Sequence, residues 1–224
     1  MKDWIRETNF IWCPGCPLTW GLIALAQSFN QLGLKKEKTW LISGIGCTGR
    51  MANYFACLTA HTTHGRAIPL AEGVKLADPE KNVFVVSGDG DLLSIGLSHL
   101  IHTARRNTPL KVICFNNAVY AMTGGQTSPT TPQKAPTETH PQGSPYPPLE
   151  AEKIFQPLPQ AFFARTLVYQ LNHFIKTIKK AYQHPGFAFV EVMSFCRIND
   201  PRFKQAKDVD QAIKKFLAEK AQEQ

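Results

Sequence analysis

The chain has 224 residues, 43% of them hydrophobic, and carries a formal net charge of +8 at pH 7 with a pI near 9.2. That apolar content is enough for one sizeable core. Because no apolar run approaches the roughly 18 residues that span a bilayer, and the first seven residues hold no apolar signal core, we expect a cytoplasmic protein without a membrane partner. Many lysines lie in the last quarter of the chain, and because no nucleic-acid-binding motif accompanies them, we interpret them as solvated charges.

The six cysteines divide by their surroundings in the sequence. Cys57 follows an apolar run and Cys114 lies inside a predicted strand, so we interpret both as core residues. Those that stand in loop-like contexts beside Gly, Pro or Ser are Cys13, Cys16, Cys47 and Cys196. Four thiolates are a complete ligand set for a 4Fe–4S cluster or a structural zinc ion, and the Cys-x-x-Cys pair alone would suit a redox dithiol. The residues by themselves leave these three interpretations open.

Two apolar segments predict neighbouring buried strands. Residues 83–86 (Val-Phe-Val-Val) and 112–115 (Val-Ile-Cys-Phe) are short and β-rich, as in strands buried on both faces of a parallel sheet. A helix is predicted between them over residues 92–105. The first strand ends at Gly-Asp-Gly-Asp (88–91) and the second at an Asn-Asn pair (116–117). Both polar motifs therefore lie at the carboxyl ends of strands, where open α/β sheets bind ligands.

The residue types in these two motifs suit a divalent metal that grips a diphosphate. The carboxylate of Asp89 and the amide of Asn117 offer hard oxygen ligands, and the glycines allow backbone N–H groups to approach phosphates. The same residue types also occur in ordinary strand-to-loop turns, which is the alternative interpretation.

The rest of the chain predicts a long loop and three further elements. Residues 126–160 are rich in Pro, Thr and Gln with little apolar periodicity, which is typical of a functional or a flexible segment. Residues 171–182 predict a helix, residues 187–192 a strand, and residues 208–220 an amphipathic helix.

The strand-end motifs resemble those that bind thiamine diphosphate, and four further segments extend the resemblance. These are Trp-Cys-Pro-Gly-Cys (12–16), Ser-Gly-Ile-Gly-Cys (43–47), His-Thr-Thr-His-Gly-Arg (61–66) and Thr-Gly-Gly-Gln-Thr-Ser-Pro-Thr-Thr-Pro (123–132). Together they resemble the β subunit of 2-oxoacid:ferredoxin oxidoreductases. The resemblance implies an α/β fold, an open and mainly parallel sheet with helices on both faces. It implies a thiamine diphosphate-binding domain over residues 1–200 and a C-terminal amphipathic helical tail over residues 201–224.

The resemblance also assigns roles to individual residues. The implied ligands of a magnesium ion are Asp89, Asn117 and, through its backbone carbonyl, Val119. The implied cofactor contacts are Ile45, Gly46, Cys47, Thr48, His64, Gly90, Asp91, Ala121 and Met122. Arg50 is a candidate for binding the substrate carboxylate, because a guanidinium pairs well with a carboxylate. His64 would otherwise be a surface or helix-capping side chain, and Arg50 a surface arginine.

The same resemblance makes the four loop cysteines the ligands of a 4Fe–4S cluster. The family usually has Ser-Pro-Cys at the last position, whereas this chain has Ser-Phe-Cys over residues 194–196. This departure leaves Cys196 the ligand that the resemblance supports least.

The implied activity is the oxidative decarboxylation of a 2-oxo acid with coenzyme A, which gives an acyl-CoA, CO2 and reduced ferredoxin. The resemblance favours 2-oxoglutarate as the substrate, with pyruvate next. It implies an α-subunit partner that supplies the glutamate acting on the aminopyrimidine ring of the cofactor, so we expect the chain alone to be inactive. A basic surface would suit docking of an acidic ferredoxin.

Two other functions fit parts of the sequence. A non-redox thiamine diphosphate-dependent decarboxylase or synthase would use the metal motif but leave the four loop cysteines unexplained. A non-catalytic subunit that binds zinc or a cluster would use the cysteines but leave the metal motif without a role.

Overall fold

A parallel sheet of six strands forms the centre of the described part of the molecule. The computed structural model describes residues 2–6, 9–200, 203, 211, 214–215 and 218–219. The strands of this sheet are β1 Thr39–Ser43, β2 Leu58–His61, β3 Asn82–Gly88, β4 Lys111–Asn116, β7 Phe162–Leu167 and β8 Ala188–Met193. Their order is β2-β1-β3-β4-β8-β7, and all neighbouring strands are parallel. A short antiparallel hairpin follows β4 and consists of β5 Val119–Tyr120 and β6 Gln126–Thr127.

The helices differ widely in length. The α-helices in the described residues are α1 Leu18–Gln31, α2 Ala67–Ala77, α3 Leu97–Arg105, α4 Ala151–Phe155 and α5 Leu171–Gln183. Shorter helical segments are the 3₁₀ helices Lys2–Trp4, Lys36–Lys38 and Thr48–Tyr54 and the π-helical turn Asp91–Ile95. Among the described residues, no helix is long and apolar enough to cross a membrane.

Helices cover both faces of the sheet. On one face, Phe84, Val86 and Phe115 pack with apolar residues of α1 and α5. On the other face, Val83 and Val85 pack with apolar residues of α2, α3 and α4. Because successive residues of a strand point to opposite faces, the central strands supply both cores and are apolar throughout. The predicted fold class, an open parallel α/β sheet with helices on both faces, is confirmed.

Most of the predicted elements are present, with one interruption. The apolar runs at 83–86 and 112–115 lie in β3 and β4, and the later helix and strand are α5 and β8. The helix predicted over residues 92–105 is wrong in its first turn. There, the N–H of Gly96 donates to the carbonyl of Asp91, five residues earlier, and α3 begins only at Leu97. The amphipathic helix predicted over residues 208–220 falls almost entirely outside the described residues, so the division at residue 200 stays a prediction.

Two further expectations are tested by burial. Cys114 is completely buried, as predicted, but Cys57 is only partly buried because it lies next to β2 at the edge of the sheet. The segment over residues 126–160 has buried and hydrogen-bonded residues beyond residue 131. Thr137 and Ser144 are buried in it, and the N–H of residue 138 donates to the carbonyl of Gly125. Glu138 and Thr139 of this segment are hydrogen-bonded to Gly125 and Thr127 of the hairpin that follows β4.

Two helical glycines offer a matched test of the packing. A Cβ atom at Gly21 in α1 would lie 2.3 Å from the ring of Phe115, whereas a Cβ atom at Gly73 in α2 would meet no atom within 4 Å. We expect Gly21→Ala to lower the free energy of unfolding by about 1–3 kcal/mol through overpacking. We expect Gly73→Ala to raise it by about 0.5–1 kcal/mol, because alanine is the better helix former. Urea unfolding of both variants measures the difference, and equal effects would contradict this packing.

Candidate active site

The order of the strands reverses between β1 and β3. The chain leaves β1 for β2 on one side and returns across the sheet to β3 on the other. Loops diverge at such a switch point and leave a crevice in which open α/β sheets bind ligands. The loops at this edge follow β1, β3, β4 and β8 and include residues 44–47, 89–90, 117–118 and 194–199.

A cavity of about 110 Å³ lies at this edge, and we call it the switch-point cavity. Every residue predicted to bind magnesium or thiamine diphosphate lines it. These residues are Ile45, Gly46, Cys47, Thr48, His64, Asp89, Gly90, Asp91, Asn117, Val119, Ala121 and Met122. The loops thus bring together residues from four separate parts of the chain, while their roles as ligands stay predictions.

Asp89 is the most buried of the predicted metal ligands, at 1% exposure. Its Oδ2 atom accepts a hydrogen bond of 2.7 Å from the hydroxyl of Thr130, and its Oδ1 atom lies 3.4 Å from the backbone nitrogen of Asn117. Burial raises the pKa of the Asp89 carboxyl, and hydrogen bonds from Ser128 and Thr130 oppose that rise. A carboxylate that is so well shielded from water is stabilised by a bound cation.

The two other predicted metal ligands lie on a tight turn after β4. Ala118 has a φ of +60°, which is rare for a residue with a Cβ atom. The side-chain oxygen of Asn116 accepts from the N–H of Ala118 at 3.0 Å, and that of Asn117 accepts from the N–H of Val119 at 3.2 Å. These two Asx turns, in which an Asn side chain accepts from the N–H two residues later, stabilise the strained backbone and set the positions of Asn117 and the Val119 carbonyl.

The side chain of Asp91 is fully buried and ties two loops to the end of β3. It accepts hydrogen bonds from the backbone of Ile45 at 3.1 Å, the backbone of Gly65 at 2.8 Å and the hydroxyl of Ser87 at 2.9 Å. A Cβ atom at Gly44 would lie 1.9 Å from the Asp91 carboxylate, so this approach requires glycine there. The carboxylate is therefore not available to a diphosphate, and only the backbone N–H of Asp91 suits the predicted contact.

His64 lies against the same carboxylate. Its Nδ1 atom is 2.7 Å from Oδ1 of Asp91, close enough for an ion pair although not aligned as a hydrogen bond. The His64 side chain is 38% exposed, and the residue lines the switch-point cavity. It is thus neither a free surface side chain nor a helix cap.

A second cavity, of about 220 Å³, is lined by all four loop cysteines, and we call it the cysteine cavity. Burial raises the pKa of Cys16 to about 12 and that of Cys47 to about 11, and the neighbouring cysteines add to both rises. Burial also raises the pKa of Cys196, which lies beside the others despite the departure from the family pattern. Without a metal these thiols stay protonated at neutral pH, so loading a metal releases protons.

Three hydrogen bonds hold the loops of the cysteine cavity. The indole N–H of Trp12 donates to the carbonyl of Cys47 at 2.8 Å. The backbone N–H of Asn199 donates to the sulfur of Cys196 at 3.3 Å, and its side-chain amide donates to the carbonyl of Ala121 at 2.8 Å. Asn199 therefore connects a cysteine of this cavity with the loop of the switch-point cavity.

The four cysteines surround a space rather than a point. Across the residues that the structure describes, no three side chains of His, Cys, Asp or Glu converge closely enough to hold one metal ion. The predicted magnesium site is of another kind, because it combines one carboxylate with an amide and a backbone carbonyl.

The two cavities share a wall. The residues that line both are Cys47, Thr48, Asn117, Ala121 and Met122. The loop over residues 45–48 was predicted to touch a cofactor and a cluster, and the structure brings this loop to both cavities.

Arg50 does not line either cavity. It lies in the 3₁₀ helix that follows Cys47, and the arginine at the wall of the cysteine cavity is Arg197. The role predicted for Arg50 therefore has no support from its position.

Sequence reasoning missed three residues that shape the site. Thr130 donates to Asp89, Tyr120 lines the switch-point cavity, and Asn199 links the two cavities. Thr130 belongs to the Thr-Gly-Gly-Gln-Thr-Ser-Pro-Thr-Thr-Pro segment, whose resemblance to the family was the available signal. Tyr120 lies between the predicted site residues Val119 and Ala121, and Asn199 follows Cys196 by three residues, but no motif singled out either residue.

Comparison with known proteins places this site in a family. The family model for the C-terminal thiamine pyrophosphate-binding domain of thiamine pyrophosphate enzymes matches residues 39–192. A 2-oxoglutarate synthase subunit KorB from Archaeoglobus fulgidus is 43% identical over 196 residues, which cover 87% of this chain and 73% of that protein. The chain belongs to the β subunits of the 2-oxoacid:ferredoxin oxidoreductases.

Other members of this family agree in sequence and in structure. The β subunit of a 2-oxoacid:ferredoxin oxidoreductase from Saccharolobus solfataricus is 38% identical over 200 residues, 88% of this chain and 66% of that one. A solved 2-oxoglutarate:ferredoxin oxidoreductase from Magnetococcus marinus, with 2-oxoglutarate, coenzyme A and succinyl-CoA bound, has a TM-score of 0.84 and 35% identity. The match covers 87% of this chain and 67% of that one. This oxidoreductase β subunit therefore carries the thiamine diphosphate-binding domain of its family.

Proposed function

We propose that this β subunit oxidatively decarboxylates 2-oxoglutarate with coenzyme A, together with an α subunit, and passes the electrons to ferredoxin. The wall shared by the switch-point and cysteine cavities carries the proposal. Redox groups bound in the two cavities would be close neighbours, as electron transfer between them requires. The choice of 2-oxoglutarate over pyruvate rests on the named substrates of the Archaeoglobus and Magnetococcus relatives.

The switch-point cavity suits the diphosphate end of thiamine diphosphate. When bound, this cofactor supplies the nucleophilic carbon and the electron sink that decarboxylation of a 2-oxo acid needs. The carboxylate of Asp89, the amide of Asn117 and the carbonyl of Val119 would hold a magnesium ion against the phosphates. Gly90 leaves room for the ring of Tyr120 in the wall of this cavity, because a Cβ atom there would lie 2.3 Å from that ring. His64 would present its exposed ring edge to a phosphate oxygen.

The cysteine cavity suits a 4Fe–4S cluster better than a zinc ion. Four sulfurs around one zinc ion lie only about 3.8 Å from one another, since each Zn–S bond is about 2.3 Å long. In a 4Fe–4S cluster each thiolate binds a different iron, so the sulfurs stand further apart. All four cysteines line one cavity, and all four match the cluster ligands implied by the resemblance to the family, which supports the cluster. Ile11, Phe115 and Phe195 give the same cavity apolar walls, which limit the access of water.

An assay on the complex tests this function against the non-redox alternative. The chain is co-expressed with its α subunit and purified without oxygen, and reduction of ferredoxin is followed with 2-oxoglutarate or pyruvate, with and without coenzyme A. We expect reduction that requires coenzyme A and is faster with 2-oxoglutarate. Release of CO2 without reduction of ferredoxin would support a non-redox decarboxylase instead. Faster reduction with pyruvate would overturn the assignment of 2-oxoglutarate as the substrate.

A further inference from the structure

An ion pair between a buried carboxylate and a partly buried arginine, near the predicted metal site, has no role in the function proposed so far. Glu191 lies on β8, between β4 and β7, and is only 2% exposed. Its Oε2 atom accepts a hydrogen bond of 2.8 Å from Nε of Arg165 on β7. Apolar residues at such positions are often as stabilising as a buried ion pair, so stability alone does not explain a charge here.

The second oxygen of Glu191 reaches the strand that carries the metal motif. Its Oε1 atom accepts a hydrogen bond of 2.8 Å from the side-chain amide of Asn116, the last residue of β4. Because the amide nitrogen of Asn116 is used in this way, its amide oxygen must face the opposite direction. That oxygen lies 2.9 Å from the hydroxyl of Thr130 and 3.0 Å from the N–H of Ala118.

The amide oxygen of Asn116 therefore lies between the turn that carries Asn117 and Val119 and the hydroxyl that donates to Asp89. Through Ala118 it stabilises the strained turn that positions Asn117 and the carbonyl of Val119. The Thr130 hydroxyl has a single proton and its shorter contact, of 2.7 Å, is to Asp89, so the contact with Ala118 is the one that fixes the orientation of the Asn116 amide. A rotation of this amide by half a turn would direct its N–H groups at the N–H of Ala118 and break that contact.

We propose that Glu191, itself held by Arg165, is a positioning residue for the magnesium–diphosphate site, because it fixes the orientation of the Asn116 amide. The proposal rests on the metal site of the proposed function and extends it to a residue two strands away from Asp89. Glu191 touches neither the metal nor the cofactor. It acts through Asn116, and through the turn at Ala118, on the residues that do.

The test compares Glu191→Gln with Glu152→Gln in the chain co-purified with its α subunit. Glutamine offers one acceptor oxygen, so it can satisfy Arg165 or Asn116 but turns an N–H group toward the other donor. Glu152 is the matched control, because its exposed carboxylate lies 3.6 Å from the same Arg165 and it has no contact with Asn116 among the described hydrogen bonds. The measured quantity is the Mg2+ concentration that half-saturates the binding of thiamine diphosphate, followed by calorimetry.

We expect Glu191→Gln to raise this Mg2+ concentration by about 10- to 100-fold, the range found for outer-shell residues of metal sites. We expect Glu152→Gln to leave it at the wild-type value. Far-UV circular dichroism and the melting temperature without Mg2+ show whether each variant is folded. A folded Glu191→Gln variant with the wild-type Mg2+ requirement would overturn the proposal, and so would an equal rise in Glu152→Gln.

If Glu191→Gln fails to fold, a double variant tests the positioning role of Glu191. Arg165→Met combined with Glu191→Leu removes both charges and leaves neither partner buried alone, so it should fold. The Asn116 amide still loses its anchor, and we expect the same rise in the Mg2+ requirement. A wild-type requirement in this folded variant would overturn the proposal. Normal Mg2+-dependent binding in Asp89→Asn would instead show that the metal site itself is elsewhere.

Discussion

Replacing Asp89 with asparagine is expected to weaken the Mg2+-dependent binding of thiamine diphosphate on the order of 100- to 1000-fold. Asparagine has nearly the same shape but no charge, so the metal loses its one carboxylate ligand. Loss of one partner from a buried charge pair typically costs about 3–5 kcal/mol, and about 1.4 kcal/mol corresponds to a factor of ten. Calorimetric titration of the αβ complex measures the loss.

The same substitution is expected to keep or raise the stability of the metal-free protein. Burial raises the pKa of Asp89, so the ionised carboxylate destabilises the fold when no cation is present. Metal-free wild type should therefore lose stability as the pH rises from the unfolded-state pKa of this carboxyl to its folded-state pKa. Asp89→Asn should lack that loss, and urea unfolding at a series of pH values measures it.

Asp78→Asn is the control for this substitution, because Asp78 follows the end of α2 and its side chain is 48% exposed. We expect wild-type binding of the cofactor in this control. Tight Mg2+-dependent binding in Asp89→Asn would contradict the assignment of Asp89 as a metal ligand.

Replacing Cys13 with serine is expected to remove the iron from the anaerobically purified complex. Wild type should contain about four irons in this subunit, with matching acid-labile sulfide. Cys57→Ser is the matched control, since Cys57 is a partly buried cysteine that does not line the cysteine cavity. It should keep its full iron content.

The same measurement distinguishes the other occupants of the cysteine cavity. Zinc in place of iron, or an unchanged iron content in the Cys13→Ser variant, would contradict a cluster bound by these cysteines. Cys196→Ser should behave like Cys13→Ser, because the structure brings Cys196 to the same cavity as the other three.

The parts of the fold that sequence predicts well are those with a regular and strong signal. Residues 83–86 and 112–115 are apolar because the strands are covered on both faces, and such runs indicate buried parallel strands directly. The π-helical turn at Asp91–Ile95 was not predictable from periodicity, because its apolar residues also fit an α-helix. Asp91, its first residue, is hydrogen-bonded to two loops and to the end of β3, and the contacts with the two loops are distant in sequence.

The residues of the candidate site also differ in how well the sequence predicts them. Residues of the Gly-Asp-Gly-Asp and Asn-Asn motifs carry recognisable chemistry at strand ends, and the structure gathers them around one cavity. The supporting residues carry no such signal. Thr130 is one hydroxyl in a polar segment, and Glu191 is one acidic residue in an apolar strand. Their partners, Asp89 and Asn116, lie 41 and 75 residues away, so only the folded chain reveals the contacts.

We expect the cofactor and the cluster to bind in adjacent cavities of this chain. The most direct test is to add 2-oxoglutarate and coenzyme A to the anaerobic complex without ferredoxin and to follow the visible absorbance of the cluster. We predict rapid bleaching in wild type and none in Asp89→Asn, with the same iron content in both. A cluster that is present but stays oxidised in wild type, although thiamine diphosphate is bound, would contradict this expectation.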